Sequence, residues 1–274
     1  MPPSAIRPLT SVNAACPPPG NFSLFGLNEI MANRPVDFFQ QMRSGFSGIL
    51  ESDACDGTVA AIALAEQAFE WFEGNIAIQT EGLPPLACAK GCPTCCALRV
   101  TATAPEIFLM AAYIRKVEAT PQGAQLQLSR KIVEADVSTR GLSEEERLAA
   151  GRPCPMLING GCILHPVRTL ACRGHASYTE EQCRAAAQGE DIEVEISEPH
   201  LTLRALVQNA LQAALRDHGL PWGLYELNHG LALALAEPER IDTWFAGEDS
   251  LAPSIADLDM TALGQAFDKL QAMN

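Results

Sequence analysis

The sequence predicts a mainly α-helical protein with a single globular domain, in which irregular loops carry most of the cysteines. Three observations support this fold class. Apolar residues recur every three or four positions in several long segments, only one short segment alternates as a strand would, and glycine and proline interrupt the cysteine-rich part. The chain has 274 residues, 47% of them hydrophobic, which is enough for a sizeable core.

The first helix with a clear pattern is predicted over residues 56–78. Its apolar residues form one stripe at alternating steps of three and four: Val59, Ile62, Ala65, Phe69, Phe72 and Ile76. The segment from Thr103 to Glu106 has the pattern of a capping box with a proline in the first turn. It predicts a second helix that ends at about Glu118.

The remaining helices are predicted from the same periodicity and from capping signals. They cover residues 122 to about 137 with Leu126, Ile132 and Val133 facing inward, a segment beginning at Ser143, residues 203 to about 219, residues 222–236, and residues 260–273. One strand is predicted over residues 192–196, where apolar and acidic side chains alternate.

These elements divide the chain into four consecutive parts without a low-complexity linker between them. Residues 1–22, rich in proline, are predicted to be an irregular arm, and residues 23–82 to form the N-terminal helices. Residues 83–186 hold the cysteine cluster, and residues 187–274 are predicted to be helices packed on the same body.

Eight of the ten cysteines lie within the third part: Cys88, Cys92, Cys95, Cys96, Cys154, Cys162, Cys172 and Cys183. Thiols at this density are either cross-linked or bound to metal. A disulfide between the neighbours Cys95 and Cys96 would be strained, whereas zinc and iron–sulfur clusters require sets of sulfur ligands. The sequence therefore predicts a metal site with these eight cysteines as ligands, and it assigns no role to Cys16 and Cys55.

The composition argues against several other classes of protein. The first twenty residues lack the apolar run of a secretory signal, and no segment reaches the ~18 apolar residues of a membrane span. A net charge of −14 disfavours binding to a phosphate backbone. We therefore expect a cytoplasmic protein, where thiols stay reduced, with no membrane or nucleic-acid partner.

The charges are distributed unevenly along the chain. Residues 86–184 hold twelve Lys and Arg against nine Asp and Glu, a net +3, while the rest holds seven against twenty-four, a net −17. Cations near a thiolate site lower the thiol pKa and stabilise the site. Six of them lie beside cysteines in the sequence: Lys90, Arg99, Arg152, Arg168, Arg173 and Arg184.

The spacing of the cysteines leaves the metal open. Cys88, Cys92 and Cys95 have the separations of zinc knuckles, but the later four cysteines are separated by seven, nine and ten intervening residues and form no second knuckle. His165 and His175, on either side of Cys172, are further candidate ligands, although a structural role is the simpler interpretation of each. No hydrolase, metalloprotease, phosphate-loop or dinucleotide-binding motif is present. Whether the protein is an enzyme is therefore left undecided.

Together, the cysteine motifs resemble the YkgJ-type cysteine-cluster family, which is described as a zinc- or iron-chelating domain. The resemblance covers about residues 83–186, although Arg168 is followed here by Thr169 where the family commonly has proline. A similar cysteine region occurs in flagellin lysine methylases, and this implies an iron–sulfur cluster, 4Fe-4S, over zinc. The motifs are, in order, Cys88-x₃-Cys92-x₂-Cys95-Cys96, Pro153-Cys154-Pro155, Gly161-Cys162-Ile163, and Arg168-x₃-Cys172-Arg173 leading to Cys183.

From these observations we expect a cytosolic metal-binding protein whose cysteine cluster holds an iron–sulfur cluster. A redox or protein-modifying activity on a protein or small-molecule partner is left open. The alternative is a structural zinc-binding interaction module without catalysis. In either case we expect the cysteines of residues 88–96 to be indispensable for metal retention. At least two of the four later cysteines are expected to complete the same site.

Overall fold

A computed structural model describes residues 35–52, 55–89 and 91–272; the predicted arm over residues 1–22 lies outside them. Helices dominate the described residues, which confirms the mainly α fold class. The α-helices are α1 Pro35–Leu50, α2 Gly57–Gln79, α3 Ala104–Glu118, α4 Pro121–Ala124, α5 Leu128–Thr139, α6 Glu144–Ala150, α7 Leu170–Gly174, α8 Glu180–Ala187, α9 Glu198–Asp217, α10 Leu227–Ala236, α11 Arg240–Phe245 and α12 Met260–Ala272.

The centre of the core is α2, which packs against α1, α3, α9 and α11. The sequence predicted one apolar stripe on this helix, and the structure corrects that prediction. Residues on its other faces, such as Ala60, Ala61, Leu64 and Ala68, are fully buried as well. Because small alanines line these faces, neighbouring helices can approach α2 from several sides, while Thr58, Glu70 and Glu73 stay exposed.

Capping residues set the starts of three helices, and two of these caps, at Thr103 and Ser143, were predicted. The side chain of Asp56 accepts a hydrogen bond from Val59 N at 2.9 Å at the start of α2. Capping boxes formed by Thr103 with Glu106 and by Ser143 with Glu146 begin α3 and α6. Each cap pairs backbone N–H groups that have no partner within their helix.

The helix predicted over residues 122–137 is interrupted. The structure has the short α4 and then α5, and between them Gln127 adopts a left-handed conformation with φ +50°. Residues in that conformation cannot continue a right-handed helix. The inward orientation is correct for Ile132, which is buried, but wrong for Val133, which is 46% exposed, because α5 starts in a different register after the break.

The helix predicted over residues 222–236 begins five residues later, at Leu227. Tyr225–Glu226 instead forms a strand, β4, paired antiparallel with β1 at Thr101–Ala102. The Glu226 side chain then caps α10 by accepting a hydrogen bond from His229 N at 2.8 Å. The strand pairing and the cap together prevent an earlier helix start.

The strand predicted over residues 192–196 is wrong. Only Ile196 pairs, in an isolated bridge with Ser177, and Ile192 is 41% exposed. In the part of the chain that the structure describes, the remaining sheet is a hairpin of β2 Leu157–Ile158 and β3 Gly161–Cys162. The alternating segment has no long partner strand on which to bury its apolar face.

The helices α9 and α12 are both present as predicted, although α9 begins at Glu198, five residues before the predicted start. The apolar stripe of α9 is buried through Leu203, Val207 and Leu211, and the helix ends before Gly219, whose φ of +71° suits glycine. The helix α12 covers nearly the predicted range. Among the residues that the structure describes, no helix is both long and apolar enough to cross a membrane.

Candidate metal centre

Four separate segments carry the eight cysteines of the predicted site, and all eight are free thiols. The first is the loop of residues 88–96, which ends in a 3₁₀ turn, Thr94–Ala97. The second is the β2–β3 hairpin with the residues just before it, from Cys154 to Cys162. Cys172 lies on α7 and Cys183 lies on α8.

The loop of residues 88–96 is fastened to the segment before α8. Ala87 N donates to Ser177 O at 2.9 Å, and Ser177 N donates in return to Cys88 Sγ at 3.3 Å. Within the loop, Cys92 N donates to Ala89 O at 3.0 Å and closes a turn. A backbone amide pointed at a cysteine sulfur is typical of thiolate ligand loops, where such bonds tune the site.

The hairpin is fastened to the same loop. Cys154 N donates to Cys96 O at 2.8 Å, which holds the start of the hairpin against the end of the 3₁₀ turn. The two-residue turn of Asn159 and Gly160 has positive φ at both positions, 51° and 78°. Asn-Gly is the strongest short-range hairpin signal. The sequence therefore indicated this hairpin, although the prediction of elements above did not include it.

A buried carboxylate holds the helix that carries Cys172. Glu106, only 1% exposed, accepts a hydrogen bond from Leu170 N at 2.7 Å through one oxygen. Its other oxygen accepts from Thr103 N at 2.7 Å and from the Thr103 hydroxyl at 2.8 Å. Burial raises the pKa of Glu106, and these bonds and the charge of Arg204 oppose that rise. Sequence reasoning identified Glu106 as a cap but missed its link to α7.

The adjacent Cys95 and Cys96 share a hydrogen bond between their side chains. This bond lowers the pKa of Cys95 to about 7, and Arg168 contributes to the decrease. The same bond, together with burial, raises the pKa of Cys96. The pair therefore favours one thiolate and one thiol, which is a common arrangement of coupled acids.

The other thiols are shifted mainly by burial and then by one another. Burial raises the pKa of Cys154 to about 12, and Cys172 and Cys162 add to the increase. Burial also raises the pKa of Cys88, with further contributions from Cys95, Cys183 and Cys92. These mutual effects show that the thiols from all four segments lie within electrostatic range of each other.

Arg168 is the cation that acts most widely on this cluster. Its charge opposes the increase that burial causes in the pKa of Cys162 and Cys172, as well as lowering that of Cys95. Its Nη1 lies 2.8 Å from His165 Nε2, which places this histidine beside the cation. Within the described part of the chain, the buried Nε of Arg168 has no hydrogen-bond partner.

Three other arginines of the predicted set form ion pairs with carboxylates. Arg99 pairs with Glu144 at 2.7 Å, Arg184 pairs with Glu180 at 2.6 Å, and Arg173 pairs with Glu73. Arg147, which is buried and which the sequence did not single out, opposes the rise that burial causes in the pKa of Cys154. Sequence proximity to a cysteine therefore indicated the role of Arg168 but not that of Arg147.

The eight sulfur donors fit a thiophilic metal chemically, but their side chains do not converge on one point. Within residues 35–52, 55–89 and 91–272, no three Cys, His, Asp or Glu side chains form a group arranged to hold a metal ion. Three of the eight sulfurs, those of Cys88, Cys154 and Cys162, receive backbone N–H groups, which suits zinc or iron–sulfur ligation. Metal binding would therefore require cysteine side chains to rotate toward a common centre.

Cys55 differs from the cluster because it is disulfide-bonded. The sequence gave it no role and treated it as a free thiol. Its bonded sulfur is not available as a ligand.

Comparison of the sequence with protein-family models, with curated proteins and with solved structures finds no match. The resemblance to the cysteine-cluster family therefore stays a prediction that rests on the residues quoted for it.

Proposed function

We propose that the protein holds an iron–sulfur cluster through cysteines of the set Cys88, Cys92, Cys95, Cys96, Cys154, Cys162, Cys172 and Cys183. The observation that supports this most is the convergence of free thiols from four separate segments, which influence one another electrostatically. Packing alone does not require eight thiols whose ionised forms repel one another. Thiolate ligation explains their grouping, because a bound cation offsets their charge.

The surroundings of the sulfurs support the same proposal. Backbone N–H groups are donated to three of them, from Ser177 to Cys88, from Met156 to Cys154 and from Leu164 to Cys162. Such bonds stabilise thiolates and are one of the means by which a protein sets the potential of a bound cluster. When bound, a cluster of this kind supplies one-electron redox chemistry.

A structural zinc site is the second candidate, and one observation favours it. Cys154 and Cys162 are partly buried and pack against the hydrophobic core. A metal held by these two cysteines would fasten the hairpin to the body of the protein, as structural zinc does. In this case the protein would present a surface to a partner without catalysis.

A cytoplasmic location belongs to this proposal, because a reducing compartment keeps eight thiols free. The disulfide at Cys55 is a bond that an oxidising compartment favours, so the two features indicate different compartments. A redox or protein-modifying role would use a protein or small molecule as its partner.

Metal analysis of the purified protein tests the proposal. Protein prepared without oxygen is expected to be brown, with a broad absorbance near roughly 400 nm and bound iron and acid-labile sulfide. Colourless protein with stoichiometric zinc would support the zinc alternative. In that case chelation is expected to lower the melting temperature, because structural zinc contributes folding free energy. Protein that binds neither metal after anaerobic reconstitution would contradict both candidates.

Replacing Arg168 with glutamine tests the role of the central cation. We expect Arg168→Gln to weaken metal retention by about tenfold, because nearby positive charge stabilises thiolates around the site. Arg184→Gln is the matched control, since Arg184 pairs with the exposed Glu180 at 2.6 Å. Competition with a chelator measures the effect. Equal retention in the two variants would mean that Arg168 has no special relation to the metal.

A further inference from the structure

We infer that the eight cysteines form two adjacent metal centres of four thiols each, an inference that rests on the proposed function. The first thiol group comprises Cys88, Cys92, Cys95 and Cys183. The second thiol group comprises Cys96, Cys154, Cys162 and Cys172. This division replaces the single shared site that the sequence led us to expect.

The first thiol group is assembled by contacts between the loop of residues 88–96 and the α8 region. The two hydrogen bonds between residues 87–88 and Ser177 bring Cys88 beside the segment that leads into α8. The helix α8, which carries Cys183, packs against the Thr94–Ala97 turn that carries Cys95. In agreement with this placement, the thiols that act on Cys88 are Cys95, Cys183 and Cys92.

The second thiol group is assembled around the hairpin. The bond from Cys154 N to Cys96 O at 2.8 Å joins the hairpin to the 3₁₀ turn. Cys162 lies opposite Leu157 in the β2–β3 register, and Leu157 N donates to Cys154 O at 3.1 Å. The thiols that act on Cys154 are Cys172 and Cys162. Those that act on Cys96 are its neighbour Cys95, from the first thiol group, and then Cys154 and Cys172.

The two groups meet at the Cys95–Cys96 peptide. Both residues lie in the 3₁₀ turn, where successive side chains project about 120° apart. Two adjacent residues with diverging side chains are suited to serve two centres. The hydrogen bond between the two thiols, and the effect of Cys95 on Cys172, show that the groups are close neighbours.

The number of donors matches the demand of two centres. One tetrahedral zinc ion takes four thiolates, and so does one iron–sulfur cluster. Each thiol group supplies four sulfurs, and each draws on at least two chain segments. The donor count and the division by contacts therefore agree, although they come from different observations.

The test is a titration of the full chain, with its thiols reduced and oxygen excluded, with Co²⁺ alone. Thiolate-bound Co²⁺ is coloured, and metal analysis after desalting gives the stoichiometry. We expect the wild type to bind two equivalents. Cys183→Ser and Cys162→Ser are each expected to bind one, and the double variant none. Cys55→Ser is the control outside both groups and is expected to bind two.

The outcomes separate this inference from the proposed function. A wild type that binds no Co²⁺ and no iron overturns both. A wild type that binds one equivalent, or single variants that both lose all metal, overturns the two-centre inference alone. If circular dichroism shows that Cys183→Ser or Cys162→Ser fails to fold, Cys92→Ser and Cys172→Ser replace them with the same expected values.

Discussion

Replacing Glu106 with glutamine is expected to destabilise the protein by about 2–3 kcal/mol, because buried N–H and O–H donors lose a carboxylate acceptor. Glu106 accepts hydrogen bonds from Leu170 N and from both the N–H and the hydroxyl of Thr103. A glutamine amide nitrogen cannot accept a bond, so at least one donor is left unpaired. Urea unfolding measures the loss. Since α7 carries Cys172, metal retention should fall as well.

The second capping box provides the matched control. Glu146 makes the reciprocal bonds of a capping box with Ser143 at the start of α6: its carboxylate accepts from Ser143 N at 2.7 Å, and its backbone N–H donates to Ser143 Oγ at 3.1 Å. Unlike Glu106, it is exposed to solvent. We expect Glu146→Gln to cost far less and to leave metal retention unchanged. If both variants lost a similar amount of unfolding free energy, the burial of the Glu106 contacts would contribute nothing to stability.

The dependence on pH adds a second measurement for Glu106. Because its pKa is raised from the ordinary 4.5, the folded state binds more protons than the unfolded state between these two values. Its contribution to stability therefore decreases as the pH rises from 4.5 through the folded pKa. Glutamine does not titrate, so the stability difference between wild type and Glu106→Gln should shrink over that range.

Replacing Trp244 with alanine is expected to cost about 3–5 kcal/mol, which is usual for a large aromatic residue removed from a core. Trp244 is fully buried, packs on Phe108 with ring centroids 5.7 Å apart, and donates from Nε1 to Pro221 O at 3.1 Å. Thermal and urea unfolding, followed by circular dichroism and by the fluorescence of the remaining tryptophans, measure the loss.

The same experiment tests whether the C-terminal helices belong to the same body as the N-terminal ones. Since α11 packs against α2, we expect a single transition that shifts as a whole in Trp244→Ala. Phe245→Ala is the control. The ring of Phe245, next to Trp244 in the chain, is only half-buried, so its removal should lower the free energy of unfolding by less. Two separate transitions in the variant would contradict one cooperative domain.

Local signals in the sequence predicted most helix starts correctly. Thr103 and Ser143 cap helices where expected, because a cap depends on residues only three positions apart. Asp56, the first residue of a helix predicted from its apolar stripe, is a cap as well. Elements that depend on distant residues were harder to predict. Tyr225–Glu226 pairs with Thr101–Ala102, more than a hundred residues away, and this pairing replaced the predicted first turn of α10.

The candidate site shows the same limit. The density of cysteines predicted the candidate ligands, but not the division into two thiol groups that we infer. Cys183 follows Cys172 in the chain, yet it contributes to the pKa of Cys88. The division depends on how α8 packs and on the hairpin turn, neither of which cysteine spacing reveals. The helix break at Gln127 could not be predicted either, because a left-handed residue other than glycine leaves no clear signal in the sequence.

The composition of the core bears on the order of events during assembly. Among the described residues, the fully buried members of the core include no cysteine; Cys154 and Cys162 only pack against it. If the protein binds metal as proposed, we therefore expect the helices to fold first and the metal to enter a finished acceptor. A cell short of that metal would then accumulate intact, empty protein, a reserve that could be loaded once supply returns.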